Sequence, residues 1–285
     1  MSDNGDADAG VPAGGEPLST GCDALDDLLG GGIERGTVTQ VYGPPAAGKT
    51  NLALSTAVRT AADGGFAVYV DTEGLSTDRF RQLAEATVAG DRPGSGGDGR
   101  PSSAAGPQPQ SHSPSRDSNA GAARSATPDV DADALADVTS RIVVTEAYDF
   151  DEQEEAVRDV AEFAPRADLV VLDSATGFYR LERRADDEGA ALRRLARQVT
   201  HLLSLARKHD LAVVTTNQVF TDPDADRTRA LGGHTLDHWC GVVLRLDRFR
   251  GGNRRATLEK HRSRPAGETA RFRIVDGGLA GVEDV

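Results

Sequence analysis

Eight consecutive residues constrain this chain more than any others. Gly43, Pro44, Pro45, Ala46, Ala47, Gly48, Lys49 and Thr50 spell G-x-x-x-x-G-K-T, set between an apolar β-branched run at 38–43 and a helical pattern at 50–62. In such a strand–loop–helix passage the backbone amides turn inward around phosphate oxygens and the helix N-terminus adds its dipole. Lys49 then supplies a positive charge to the β/γ-phosphates, and the Thr50 hydroxyl reaches Mg²⁺. The expected ligand is a nucleoside triphosphate with Mg²⁺. Lys49 is one of only three lysines in the chain, with Lys208 and Lys260, against 29 arginines.

The rest of the sequence alternates in the way this loop requires. Short apolar runs at 38–43, 66–71, 142–145, 169–173 and 212–216 read as buried strands. Between them, 50–62, 78–88, 152–163 and 187–209 carry apolar residues at three- and four-residue spacing; Leu192, Leu195, Val199, Leu202 and Leu203 oppose Arg193, Arg194 and Arg197. That order predicts an α/β fold, a mainly parallel sheet with helices on both faces. Runs at 242–247, 257–260 and 270–275 follow closely with Gly-rich turns, and predict an antiparallel extension at one sheet edge. Residues 1–17 contain no Ile, Leu, Phe, Tyr or Trp, and between Ala89 and Ala134 the only large apolar residue is Val130. These stretches are expected to be a disordered acidic N-terminus (1–17) and a disordered insertion at about 90–134 interrupting a single domain over 18–285.

Three further residues sit where a phosphate loop needs partners. Asp173 ends the apolar strand Leu169, Val170, Val171, Leu172, placed to hold Mg²⁺ through water, with Ser174 in the same shell. Glu73 follows the strand Val68, Tyr69, Val70, Asp71; strand C-terminal ends line the ligand crevice, so Glu73 can act as base for the attacking water. Gln218 ends the strand containing Thr216 and Asn217, where an amide can sense the γ-phosphate. Taken singly, each could equally be a strand-end turn former or cap.

Together the segments 18–33, 43–50, 71–74, 169–174, 217–219 and 231–234 resemble the ATPase core of the RecA/RadA recombinases, a likeness covering 18 to 280 apart from the insertion. The resemblance implies a RecA-like P-loop ATPase core with ATP and Mg²⁺ as cofactors. It makes Glu73 the catalytic carboxylate and Gln218 the link between ATP state and a DNA-binding loop. Arg79 resembles the arginine that packs near the nucleotide base, although it lies one residue closer to Glu73 than the recombinase pattern has it. Two features of the full recombinases are not found: a helix-hairpin-helix domain before the core, and a Phe-x-x-Ala filament hook, the first phenylalanine being Phe66. The loop after Gln218 is short and carries Asp222, Asp224 and Asp226, an unpromising surface for stretching DNA. The likeness is therefore greatest to the short archaeal paralogues of the family.

Charge adds a second signal. The chain has 32 basic and 45 acidic residues, net −13. An acidic, lysine-poor surface suits a halophilic source, and GC-rich codon usage is the alternative explanation. Between Arg245 and Arg273, however, ten Arg/Lys face three acids, leaving about +7 there and about −20 elsewhere. This basic stripe is the electrostatic footprint of a phosphate ligand. Arg254, Arg255, Arg262 and Arg264 are the expected DNA-binding residues; Lys260, His261 and Arg262 could instead touch a neighbour's ATP phosphates, or the stripe could be a solvated, salt-bridged face. Cys22 and Cys240 form no disulfide framework, no Cys/His cluster offers zinc, and no apolar run approaches a membrane span. A cytoplasmic protein without membrane contact is expected.

The combined expectation is an ATP-binding, DNA-binding accessory protein of homologous recombination and repair. Single-stranded DNA is the favoured ligand, ATP hydrolysis is weak, and strand exchange is absent. The resemblance implies a RadA-type recombinase and a Holliday-junction nuclease as partners. A competent strand-exchange recombinase and a KaiC-like signalling ATPase are the alternatives.

Overall fold

A computed structural model of the chain describes residues 15–90, 131–179, 188–222, 227–231 and 233–282. A nine-stranded sheet runs through it. The strands are β1 (Val38–Tyr42), β2 (Ala67–Asp71), β3 (Ile142–Glu146), β4 (Leu169–Asp173), β5 (Ala212–Asn217), β8 (Val242–Arg248), β9 (Asn253–Lys260), β10 (Thr269–Val275) and β11 (Gly278–Gly281). Their spatial order is β11-β10-β9-β8-β1-β5-β4-β2-β3, and a separate two-stranded ribbon pairs β6 (Val219–Asp222) with β7 (Arg227–Ala230). Every residue of β1, β2, β4 and β5 is buried, which is why these strands read as unbroken apolar runs and not as alternations.

The helices divide between the two faces. Helices α1 (Asp23–Leu29), α2 (Lys49–Ala62), α3 (Thr77–Val88) and α4 (Ala132–Ser140) bury Leu25, Leu52, Leu83 and Val138 against Val41, Tyr69, Val171, Val214 and Leu244. On the other face α5 (Phe150–Phe163), α6 (Glu188–His209) and α7 (Gly233–Trp239) bury Val157, Leu195, Val199 and Leu236 against Val38, Val68, Val170 and Val213. The second core ends at Val243. Beyond it, the side of β8, β9 and β10 that faces away from the first core carries no helix among the described residues and shows Arg245, Asp247, Arg255, Glu259, Arg271 and Arg273.

The C-terminal extension differs from expectation in its first strand. The 242–247 run was expected to be antiparallel, but β8 pairs parallel with β1 (Thr39↔Val242 to Tyr42↔Arg245), and the direction reverses only at β9. Helix α7 returns the chain to the N-terminal end of the sheet before β8 starts, which is the crossover a parallel neighbour needs. A further antiparallel strand, β11, completes the edge.

The two expected disordered stretches, 1–17 and 90–134, lie mostly outside the described residues, and at their inner ends the boundaries move. Gly15 N–H donates to Asp210 Oδ2 at 2.7 Å, and Arg35 Nε donates to the Glu16 carbonyl at 3.0 Å. Asp131 caps α4 by accepting from the amides of Asp133 and Ala134, so residues 131–134 belong to a helix that the Ala/Asp-rich composition concealed. Helices α3 and α4, which flank residues 91–130, pack beside one another and on α2. Replacing 91–130 by a short Gly/Ser linker is expected to leave the thermal midpoint within a few degrees of the parent, since loop-closure entropy grows only logarithmically with length. Differential scanning calorimetry would show a larger drop if that segment contributes to the core.

Candidate nucleotide site

At the C-terminal end of β1 the backbone must leave the sheet and enter α2 within six residues, Gly43 to Gly48. A Cβ on Gly43 would lie 2.3 Å from the Leu246 carbonyl oxygen, and Gly48 has φ +107°, so neither position takes a side chain without distortion. Pro44 and Pro45 have no N–H and shape the loop without donating. The amides available to an anion are those of Ala46, Gly48, Lys49 and Thr50, because Ala47 N–H already donates to the Pro44 carbonyl at 3.2 Å. No side chain caps the N-terminus of α2, which leaves its dipole and first amides open to a phosphate.

Lys49 is buried, and its Nζ donates to the carbonyls of Gly43 (3.0 Å) and Pro44 (3.3 Å). Burial pushes its pKa down, while Glu73 and Asp173 pull it up. Asp173 is 1% exposed; burial pushes its pKa up, against hydrogen bonds donated by Thr216, Tyr69 and Thr50. Tyr69 OH reaches Asp173 Oδ2 at 2.6 Å and Thr216 Oγ1 holds Oδ1. Next in the chain, Ser174 Oγ donates to Glu73 Oε1 at 2.7 Å, and Gln218 Nε2 donates to the same oxygen at 2.9 Å. Asp71 fixes the loop that carries Glu73 by accepting the amides of Glu73, Gly74 and Leu75.

The structure thus brings Lys49, Thr50, Glu73, Asp173 and Gln218 to one end of the sheet. Arg79 stands on the same end, where its Nε donates to Asn51 Oδ1 and its terminal nitrogens to Gln82 Oε1 and the Val275 and Asp276 carbonyls, all within 2.9 Å. With four of its five N–H groups engaged, Arg79 presents mainly the flat face of its guanidinium. Thr50 and Asp173 form a hydroxyl–carboxylate pair suited to Mg²⁺, which keeps most of its ligands as water and phosphate. Among the described residues, no group of three or more His, Cys, Asp or Glu could hold a metal by itself.

The four expected DNA-binding arginines are not brought together. Strand β9 places Arg254 at the nucleotide end, and Lys260 lies roughly 20 Å further along it. Beyond Lys260, Arg262 donates to Thr37 Oγ1 at 3.0 Å, below the start of β1, and Arg264 pairs with Glu268 at 3.7 Å. Alternation also separates Arg254 from Arg255. Arg254 turns to the phosphate loop, with its terminal nitrogen 3.4 Å from the Ala46 carbonyl, whereas Arg255 meets Asp247 (3.2 Å) and the Phe249 ring (5.0 Å) on the uncovered face. The sequence stripe ran through both faces and both ends of the sheet, and a linear count could not resolve them. Sequence reasoning also missed Tyr69 and Thr216; the signal for Tyr69 is a polar group among the apolar residues of β2, and Thr216 lies in the polar end Thr215, Thr216, Asn217 of β5.

Comparison with known proteins identifies the family. The Rad51 family model matches residues 17–90 and 128–284. The chain is 59% identical over 265 residues to the DNA repair and recombination protein RadB of Halobacterium salinarum, covering 92% of this chain and 94% of that one. It belongs to the Rad51 family, in its RadB branch. RadB of Methanococcoides burtonii is 35% identical, with 93% of this chain and 97% of that one covered. A solved structure described as the RadB recombinase superposes with a TM-score of 0.66 at 34% identity, covering 93% of this chain and all of that one. The RadB match spans the antiparallel strands as well as the parallel core, so the extension is part of the family fold. Among the described residues, no helix is long and apolar enough to cross a membrane.

For the site, Lys49→Met is expected to abolish stabilisation by ATP·Mg²⁺ while the ligand-free protein melts at or above the parent midpoint, because a desolvated ammonium is removed from a buried place. Saturating ATP, at about 100 times its dissociation constant, stabilises a binding protein by about 2.7 kcal/mol. Thermal melts with and without ATP measure both effects, and equal ATP shifts in the two proteins would refute the assignment.

Proposed function

We propose that the chain is an ATP- and DNA-binding accessory protein of homologous recombination and DNA repair, which hydrolyses ATP slowly and performs no strand exchange of its own. The observation that carries this reading is the meeting of Glu73 with Gln218. One carboxylate oxygen accepts from Ser174, next to Asp173, and from Gln218, next to the β6–β7 ribbon. Gln218 also anchors that ribbon, since its carbonyl accepts from Leu231 N–H (2.8 Å) and its amide donates to Thr176 Oγ1 (3.0 Å). A group at the γ-phosphate position would compete for the Gln218 amide, and the ribbon would feel the change.

With ATP bound, Lys49 exchanges its two carbonyl partners for phosphate oxygens, and the open amides of Ala46, Gly48, Lys49 and Thr50 enclose the β-phosphate. Mg²⁺ would be held by the Thr50 hydroxyl and, through water, by Asp173; it supplies neutralisation of phosphate charge. Glu73, exposed at the mouth, orients the attacking water and takes its proton. Among the described residues Glu73 has no arginine ion-pair partner, its carboxylate accepting from Ser174 and Gln218, so no guanidinium is held beside the attacking water to stabilise the charge that develops there on transfer. Slow turnover follows. Glu73→Gln is expected to keep ATP binding and lose the residual hydrolysis, because an amide cannot accept the proton; phosphate release at the parent rate would reduce Glu73 to a turn residue.

For DNA, the uncovered face of β8, β9 and β10 offers Arg245, Arg255, Arg271 and Arg273 against Asp247 and Glu259, on an otherwise acidic molecule. Single strands laid there would exchange counterions for these guanidinium groups, with bases stacking on the exposed Phe249. The RadB relatives are named for repair and recombination, and a RadA-type recombinase and a Holliday-junction nuclease are the proposed partners. A triple Arg255→Gln, Arg271→Gln, Arg273→Gln variant is expected to flatten the log–log salt dependence of single-stranded DNA binding by up to about 2, at about 0.7 per phosphate contact. Salt titrations with a labelled oligonucleotide decide it. An unchanged slope would move DNA off this face, and absence of binding by the parent would favour the signalling-ATPase alternative.

A further inference from the structure

Arg248 and Arg254 are direct cross-strand partners in the antiparallel β8–β9 pair. Direct partners project on the same face, and like charges so placed repel; burial first, and then the charge of Arg248, push the Arg254 pKa down. Among the described residues no carboxylate pairs with either guanidinium, and the nearest in sequence, Asp247, is taken by Arg245 and Arg255 on the opposite face. Arg254 is half-buried against the phosphate loop. Its Cδ and Nε lie 3.3 and 3.4 Å from the place a Cβ would occupy on Gly48, beside Ile274 Cδ1 at 3.3 Å. One terminal nitrogen donates to the Gly252 carbonyl at 2.7 Å, the other makes only the 3.4 Å contact to Ala46, and Nε is buried without a partner. Two uncompensated cations at the rim of a loop built for phosphate are a repulsive arrangement that an anion would relieve.

We propose that Arg248 and Arg254 bind, in the same chain, the phosphate oxygens of the nucleotide that the loop amides leave facing solvent. The inference rests on the reading of 43–50 as an ATP site and assigns Arg254 to the nucleotide, not to DNA. On this assignment the hairpin is a second wall of the site: α2 and the loop hold the phosphates from one side, and the β8–β9 tip closes on them from the other. The Ala46 carbonyl is the resting partner that Arg254 gives up when the nucleotide enters. Because guanidinium groups respond to charge and not to the base, affinity gained here rises with the number of phosphates.

The test is titration calorimetry of the full chain with ATP, ADP and AMP in the presence of Mg²⁺. It compares the parent, Arg254→Gln, Arg254→Lys and the double Arg248→Gln, Arg254→Gln variant. The expected result is a loss of about tenfold or more for ATP in the double variant, smaller for ADP and smallest for AMP, with Arg254→Lys between parent and Arg254→Gln. Equal losses for all three nucleotides would mean that the arginines only support the loop, and parent-like ATP affinity in the double variant would also overturn the proposal. Single-stranded DNA binding is measured on the same proteins; a loss there with ATP affinity intact would return the pair to the DNA surface. If the parent itself binds no ATP, the underlying ATP reading fails, and that is distinguishable from parent binding that the variants leave unaltered.

Discussion

Everything at the nucleotide end depends on how tightly the backbone must turn between β1 and α2. The turn passes under the Leu246 carbonyl with no room for a Cβ at Gly43, and it closes through a left-handed Gly48. That constraint aims amides at one point and leaves the N-terminus of α2 uncapped. It also fixes the height at which the neighbouring strands must end. Asp173 on β4, the loop after Asp71 on β2 and Gln218 after β5 all reach that level because parallel register aligns their strands with β1 and with one another.

The polar groups below the loop form a connected system. Asp173 is desolvated and satisfied by three hydroxyl groups, which lets a carboxylate persist beside an apolar strand. Its charge and that of Glu73 offset the desolvation of Lys49. In this arrangement the lysine bonds loop carbonyls; on the proposed reading a phosphate would take their place.

How far the sequence revealed this follows from which signals are local. The phosphate loop, the buried strands β1, β2, β4 and β5 and the four long helices were legible because each is a run of residues whose pattern is set by its own burial; the run at 142–145, expected to be buried as well, is the edge strand β3 with Val144 40% exposed, because only one neighbour, β2, pairs with it. Asp173, Glu73 and Gln218 were legible as strand ends. Helix α1 was not identified by pattern, since its seven residues give Leu25, Leu28 and Leu29 only one turn of periodicity, and its anchoring is a set of hydrogen bonds from Ser19 and Thr20 to Asp26. The parallel direction of β8 is decided by α7, a helix too short to announce a crossover. The hairpin formed by β6 and β7 lay hidden in a polar stretch that reads as a loop. The arginine stripe was read as one surface because composition is one-dimensional, whereas strand alternation sends successive residues to opposite faces.

The position of β1 in the sheet has a consequence for how the molecule is made. Residues 38–42 are laid down early in synthesis, yet their two sheet neighbours are β5 and β8, some 170 and 200 residues later in the chain. Until those strands emerge, the strand beneath the phosphate loop has both of its edges unpaired and nothing fixes the carbonyl of Leu246 over Gly43. Contacts of such long sequence separation form slowly, and the exposed apolar edges of β1 invite association with other chains in the meantime. On the proposed reading the nucleotide site therefore requires the finished chain, and a truncated product that ends before β8 would have the loop sequence without the strand that braces it.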